Sequence, residues 1–184
     1  MNFDKTFIKR LKSGEDKAQK AFYQQFAPKM YGICLRFSKS SAEADDMLQE
    51  GFIRIFNHIK DFRGEGSLEG WVRRTVVNTA INFYKKRIKQ GISTDLDYIK
   101  ESVGDENLII DKMAADELLA VIQQLPDGYR TVFNLNVIEG YSHKEIADML
   151  DISENTSKSQ LSRARVALQK KLKQIKTAEK GNKH

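Results

Sequence analysis

The sequence predicts an all-α protein made of two small helical domains joined by an acidic linker. Three observations carry that expectation. Apolar residues recur at three- and four-residue steps along nearly the whole chain, and only two prolines interrupt its 184 residues. Serine–glutamate pairs and glycines fall where helices would start and stop. Charge also changes sign along the chain. Residues 63–89 hold seven Lys or Arg against two Glu, a local +5. Residues 93–127 hold nine Asp or Glu against two Lys, a local −7. Residues 153–184 hold nine Lys or Arg against two Glu, a local +7. Two basic surfaces joined by a stretch that would avoid a polyanion suit a nucleic-acid partner, as does a net charge of +6.

The elements follow in order. Phe3, Phe7, Ile8 and Leu11 make a short amphipathic opening, and Ala18, Ala21, Phe22, Phe26, Met30, Ile33, Cys34 and Phe37 continue the period as far as the loop "SKSS". Ser40 with Glu43 is a capping-box pair that leads into "AEADDMLQEGFIRIFNHI". There Met47, Leu48, Phe52, Ile55, Phe56 and Ile59 form a buried stripe and leave Asp46, Gln49, Glu50 and Arg54 outward. Asp46 and Glu50, one turn apart, are either solvated surface carboxylates or two ligands of a divalent cation, and no third oxygen ligand accompanies them. "DFRGEGS" reads as a glycine-bearing loop. In the helix "LEGWVRRTVVNTAINFYKKRIK", Leu68, Trp71, Val72, Thr75, Thr79 and Phe83 are expected inward, and Arg73, Arg74, Asn78, Asn82, Lys85 and Lys86 outward. Trp71 reads as a core residue or as a stacking platform; its place on the apolar stripe favours the core. "QGISTDLDYIKESVGDENL" has weak periodicity and reads as linker. Met113, Leu118, Leu119, Ile122 and Leu125 open a second helical unit that turns at Pro126. The domains so drawn are 1–90, a linker 91–111, 112–176, and a basic tail 177–184.

"EGYSHKEIADMLDISENTSKSQLSRARVAL" carries the clearest motif. Gly140 is placed to end a helix in a left-handed conformation. Ser142 and Glu145 form a capping box, and Ile146, Ala147 and Leu150 share one face of the helix that follows. After "DIS", Ser153 caps a third helix with apolar Leu161, Ala164, Leu168 and Leu172. Lys158, Ser159, Ser162, Arg163 and Arg165 decorate the remainder. Base edges in a major groove demand hydrogen-bonding side chains, and phosphates demand cations, so this is a helix-turn-helix with a recognition helix. The plain alternative is a polar amphipathic helix on a packed domain.

Other classes are excluded by what the chain lacks. Cys34 is the single cysteine, so no internal disulfide forms and a reducing, cytoplasmic setting is expected. The start "MNFDKTFIKRLKSG" has no apolar signal core, and no stretch approaches a membrane span, so no membrane insertion is expected. His58, His143 and His184 lack companions at ligand spacing, and no metal site or cofactor is expected. There is no nucleophile, Walker-type loop or carboxylate cluster of a nucleic-acid enzyme.

"DDMLQEGFIRIF", then "FRGEGSLEGWVRRTVVNTAINFYKKR", then "LPDGYRTVFNLNVIEGYSHKEIADMLDISENTSKSQLSRAR", in that order around an acidic linker, resemble bacterial RNA polymerase sigma factors of the extracytoplasmic-function (ECF) group. The resemblance runs from about Ala18 to about Leu172. It implies a non-catalytic factor that directs core polymerase to promoters and helps melt them, with core polymerase (its clamp and flap regions) and promoter DNA as partners and an anti-sigma factor as an expected inhibitor. By resemblance Asp46, Gln49, Glu50 and Arg54 bind core polymerase. Arg63, Ser67, Leu68, Arg74, Asn78, Asn82, Lys85 and Lys86 meet the minus-ten element, with Gly64 and Gly66 freeing the loop to approach a flipped base. Ser153, Thr156, Lys158, Ser159, Gln160, Ser162, Arg163 and Arg165 meet the minus-thirty-five element.

Two departures from the family pattern stand out. The recognition helix has Ser157, Lys158, Ser159 and Gln160 where valine, lysine, serine and arginine are usual, and Asp151 occupies a turn position often held by glycine. Asp tolerates the left-handed conformation better than most residues. A free-standing helix-turn-helix regulator that dimerises on half-sites is the rival reading. It leaves the first ninety residues unemployed, and no dimerisation heptad is present.

Overall fold

The structure, a computed structural model, describes residues 3–91 and 115–181, with residues 115 and 176–181 as backbone alone. Met113, most of the linker 91–111 and the last three residues of the tail lie outside the described residues. The order is α1 (Lys5–Lys12), α2 (Asp16–Phe37), α3 (Ser41–His58), α4 (Leu68–Lys89), α5 (Ala115–Gln123), α6 (Asp127–Phe133), α7 (His143–Leu150) and α8 (Glu154–Gly181), with no strand among the described residues. The chain divides into two compact units, 1–83 and 84–184.

In the first unit an aromatic cluster joins the aliphatic core. Phe22 on α2 lies 4.7 Å from Phe26 and 6.3 Å from Phe52 of α3, ring centre to centre, and Phe3 stacks on Phe26 at 5.4 Å. Tilted and edge-on rings at such separations gain attraction beyond the area they bury. Asp4 caps α1 by accepting from the Phe7 amide at 2.7 Å. The α3 stripe is as expected at Met47, Leu48, Phe52, Ile55 and Ile59, while Phe56 is half-buried. The expected capping box at Ser40 forms in altered shape. Ser40 Oγ accepts from the Glu43 amide, but Glu43 Oε2 reaches back one residue further, to the Lys39 amide at 2.7 Å.

The inward face of α4 differs from the expected one. Val72 and Thr79 are buried as predicted, but Leu68, Trp71, Thr75 and Phe83 are only half-buried, and the core stripe is Val72, Val76, Val77, Ala80, Ile81 and Tyr84. Both stripes have helical period, so periodicity cannot choose between them. The neighbouring helix does. A Cβ added to Gly51 of α3 would lie 3.3 Å from Val76 Cγ2, so the two helices approach closely at that crossing and Val76 is the residue turned inward there. Trp71 then packs at the edge, 5.8 Å from Phe62.

The second unit is held by more directional contacts. The buried Arg130 guanidinium donates to the carbonyls of Leu125 (2.7 Å) and Gln123 (3.2 Å) and pairs with buried Asp127, which clips the α5–α6 turn around Pro126. Burial pushes the Arg130 pKa down, and the Asp127 charge works against that shift. Beyond α6 the chain widens into a π-helical turn at Asn134–Ile138, where the Glu139 amide donates to Asn134 O at 2.9 Å, before Gly140 takes φ 81°. The capping box at Ser142 and Glu145 is complete. Asp151 ends α7 in the left-handed conformation, φ 60° and ψ 48°, as its place in the turn predicts. α8 is helical over all its described residues as far as Gly181, and residues 169–180 are nearly all strong helix formers.

Candidate partner and nucleic-acid interfaces

Three exposed surfaces carry the residues singled out above. On α3, Asp46 and Gln49 are exposed and line a shallow groove with Tyr23, Phe52 and Ile53. Glu50 and Arg54, half-buried, pair with each other, Nε to Oε1 at 2.8 Å. Glu50 is thus engaged by a cation on its own helix. Periodicity missed Tyr23 and Ile53, which are 43% and 50% exposed. Large apolar residues this open beside carboxylate and amide groups have the composition of a protein-docking surface. The missed signal was legible: Ile53 breaks the apolar stripe by one residue.

On α4 the expected outward residues do share a face. Arg74, Asn78, Asn82 and Lys86 follow at four-residue steps with Lys85 beside them, and all are exposed. The loop before this helix holds exposed Arg63 and two left-handed glycines, Gly64 at φ 78° and Gly66 at φ 87°, and added Cβ atoms there would meet nothing within 4 Å. Ser67 has local work, since its Oγ accepts from the Gly70 amide at 3.3 Å and so caps α4. Ser67 and half-buried Leu68 adjoin a pocket whose far wall is Phe3, Phe26 and Lys29, and Lys29 Nζ bridges the rim to Glu69 at 3.0 Å. Sequence reasoning missed that wall because its residues lie far from Ser67 in the chain.

On α8 the placement divides the expected set. Ser153 Oγ accepts from the Thr156 amide at 3.0 Å and lies 2.8 Å from the Thr156 hydroxyl, so both serve the helix start. Lys158 and Ser159 are exposed, while Ser162, Arg163 and Arg165 are half-exposed. Lys158 is held only loosely by Glu154, at 3.8 Å. Gln160 is a correction: it is 5% exposed and its side chain is inside the domain. It stands three residues after buried Ser157 and four before buried Ala164, on the inward stripe, so it cannot present its amide to a base as placed. Ser157 itself is fully buried, and its Oγ lies 2.8 Å from His143 Nδ1 of α7. Burial, then nearby Lys158, lowers the His143 pKa. Cys34 is buried, and burial pushes its thiol up to about 12.

Two domain families match this layout: sigma-70 region 2 over residues 22–89 and sigma-70 region 4 over residues 115–168. Curated relatives match along nearly the full length. The ECF RNA polymerase sigma-E factor of Escherichia coli K12 is 27% identical over 183 residues, covering 94% of this chain and 95% of its own. The chain belongs to the ECF sigma factors. Identity and coverage are the same for the RNA polymerase sigma-H factor of Pseudomonas aeruginosa. As a sigma factor it directs RNA polymerase to promoters. The region 2 match also accounts for the half of the chain that a free-standing regulator would leave idle, and that alternative falls. Among solved structures, the sigma factor RpoE of Bartonella quintana, in complex with the anti-sigma factor NepR, shares the fold at TM-score 0.52 and 23% identity, covering 84% of this chain and 98% of that one. No helix among the described residues is long and apolar enough to cross a membrane.

Proposed function

We propose that this sigma factor divides initiation among its three surfaces. Asp46, Gln49, Glu50 and Arg54 dock the polymerase clamp, joined by Tyr23 and Ile53. The loop from Arg63 to Leu68 and the α4 face of Arg74, Asn78, Asn82, Lys85 and Lys86 engage and open the minus-ten element. Lys158, Ser159, Ser162, Arg163 and Arg165 read the minus-thirty-five element, with Ser153 and Thr156 setting the helix start. The chain works in the cytoplasm, where the polymerase is, and the phosphodiester chemistry belongs to the core enzyme. An anti-sigma factor is the regulatory partner this reading adds, in line with the partner of the Bartonella quintana factor.

One observation carries the melting role: an exposed ladder of Asn and cationic side chains at four-residue steps follows directly on a loop whose two glycines open onto empty space. A protein that only binds duplex has no use for such a loop. One that captures an extruded base needs backbone freedom beside a cationic strand track, and it must offset about a few kcal/mol of unstacking. The test uses holoenzyme on two templates. Asn78→Ala should impair initiation on a fully paired promoter and be largely rescued on a template with a pre-opened minus-ten bubble. Gln49→Ala/Glu50→Ala should not be rescued, because docking is still required. Equal rescue of both, or of neither, overturns the division.

A further inference from the structure

α7 and α8 pack against each other, and the apolar residues Ile146, Ala147 and Leu150 of α7 and Leu161 and Ala164 of α8 are all buried. Contacts of that kind hold two helices together but tolerate small slides and rotations, because dispersion has little directional demand. A polar link joins the same two helices. Ser157 has no exposed surface, so its hydroxyl must be satisfied inside the protein, and it meets Nδ1 of His143 at 2.8 Å. A hydrogen bond weakens steeply with misalignment, so this pair tolerates far less rotation of α8 than the leucines and alanines do. Ser157 also immediately precedes exposed Lys158 and Ser159. Any rotation permitted at Ser157 is passed directly to those side chains, and a base edge is recognised only within hydrogen-bonding reach.

We propose that His143 is a positioning residue for upstream promoter reading: through its bond to Ser157 it fixes the rotation of α8 and thereby sets which base edges Lys158, Ser159 and Ser162 can reach. The inference rests on the reading of α8 as the minus-thirty-five reader. His143 contributes to sequence preference more than to total DNA affinity, since the cations that meet phosphates remain present whatever the rotation. Asparagine is the informative replacement, because its side-chain amide brings a polar atom to about the place of Nδ1.

The experiment uses the full chain bound to core polymerase. Its readout is the ratio of affinities for promoter DNA carrying an upstream element selected from a randomised pool and for the same DNA with that element scrambled. His143→Phe leaves the buried Ser157 hydroxyl without the ring nitrogen, and Ser157→Ala removes the hydroxyl. Each should shrink the ratio by about five-fold, the size expected of one net hydrogen bond. The double variant, with both partners apolar, should recover to within about two-fold of the parent, and His143→Asn should keep the parent ratio. Single variants with an unchanged ratio, or a double variant no better than the worse single one, would overturn the positioning role. Lys158→Ala separates the two levels of the argument. If it leaves upstream affinity untouched, the reading of α8 itself fails. If it lowers the ratio while the His143 variants do not, only the positioning role fails.

Discussion

The two units solve the same problem, presenting polar faces from a helical scaffold, with different interiors. Among the described residues, the first unit buries Ser38 and Thr79 as its polar groups, and the hydroxyl of Thr79 is settled locally on the Thr75 carbonyl at 2.9 Å. The second buries Asp127, Arg130, Thr131, Asn134, Ser157 and Gln160. An apolar interior is set by volume and period, and tolerates shape-preserving exchange. A polar interior is set by individual bonds, and each lost partner strands a group that water cannot reach. The first unit should therefore be robust and the second brittle.

The strongest test of that contrast is Arg130→Ala, which leaves the Gln123 and Leu125 carbonyls without the guanidinium and the buried Asp127 carboxylate with only the weaker Arg87 pair, Nε to Oδ2 at 3.3 Å. A loss of about 3–5 kcal/mol is expected in chemical denaturation, the size typical of removing one member of a buried ion pair. Met47→Leu, a volume-conserving exchange at a position equally hidden in the first unit, should cost less than about 1.5 kcal/mol in the same assay. If the two losses are comparable, the contrast between the interiors is wrong.

On the surface, Gln49→Ala/Glu50→Ala should change stability by no more than about 0.5 kcal/mol while weakening core-polymerase binding in a competition assay. A matching loss of stability would mean that the Glu50–Arg54 pair is structural. A smaller effect concerns pH. Because the folded state lowers the His143 pKa, the unfolded chain takes up this proton more readily. The contribution is intact above the ordinary value of about 6.5 and declines as pH falls below it. Thermal unfolding between pH 7 and 5 should show this decline, and His143→Asn should flatten it relative to the parent. The least perturbation is expected at Cys34: with its thiol pushed up to about 12 and buried, alkylation near pH 8 should follow unfolding and be negligible in the native protein.

How far the chain could be read without its structure follows the same contrast. Helix starts were legible at Ser142 and Ser153, since a cap is a contact across three residues. So were the left-handed Asp151 and the outward ladder of α4, which depend on local backbone chemistry and on a four-residue step. The inward face of α4 was not legible, because two stripes of equal period compete and only the close approach at Gly51 selects Val76 over Trp71. Gln160 was misread for a related reason. Its chemistry suits a base contact, but its position falls on the stripe of Ser157 and Ala164, and position overrode residue type.

The sequence by itself determined the helices, their order, the charge pattern and the family, because these rest on period, capping and composition, which act over a few residues or in sum. Tertiary structure alone decided which polar residues turn inward. Arg130 and Asp127 could each have stood on a surface, and His143 and Ser157 are separated by fourteen residues with no pattern to join them. Their pairing exists only once α5 through α8 have packed, because an unsatisfied polar group becomes costly only when packing has removed its water.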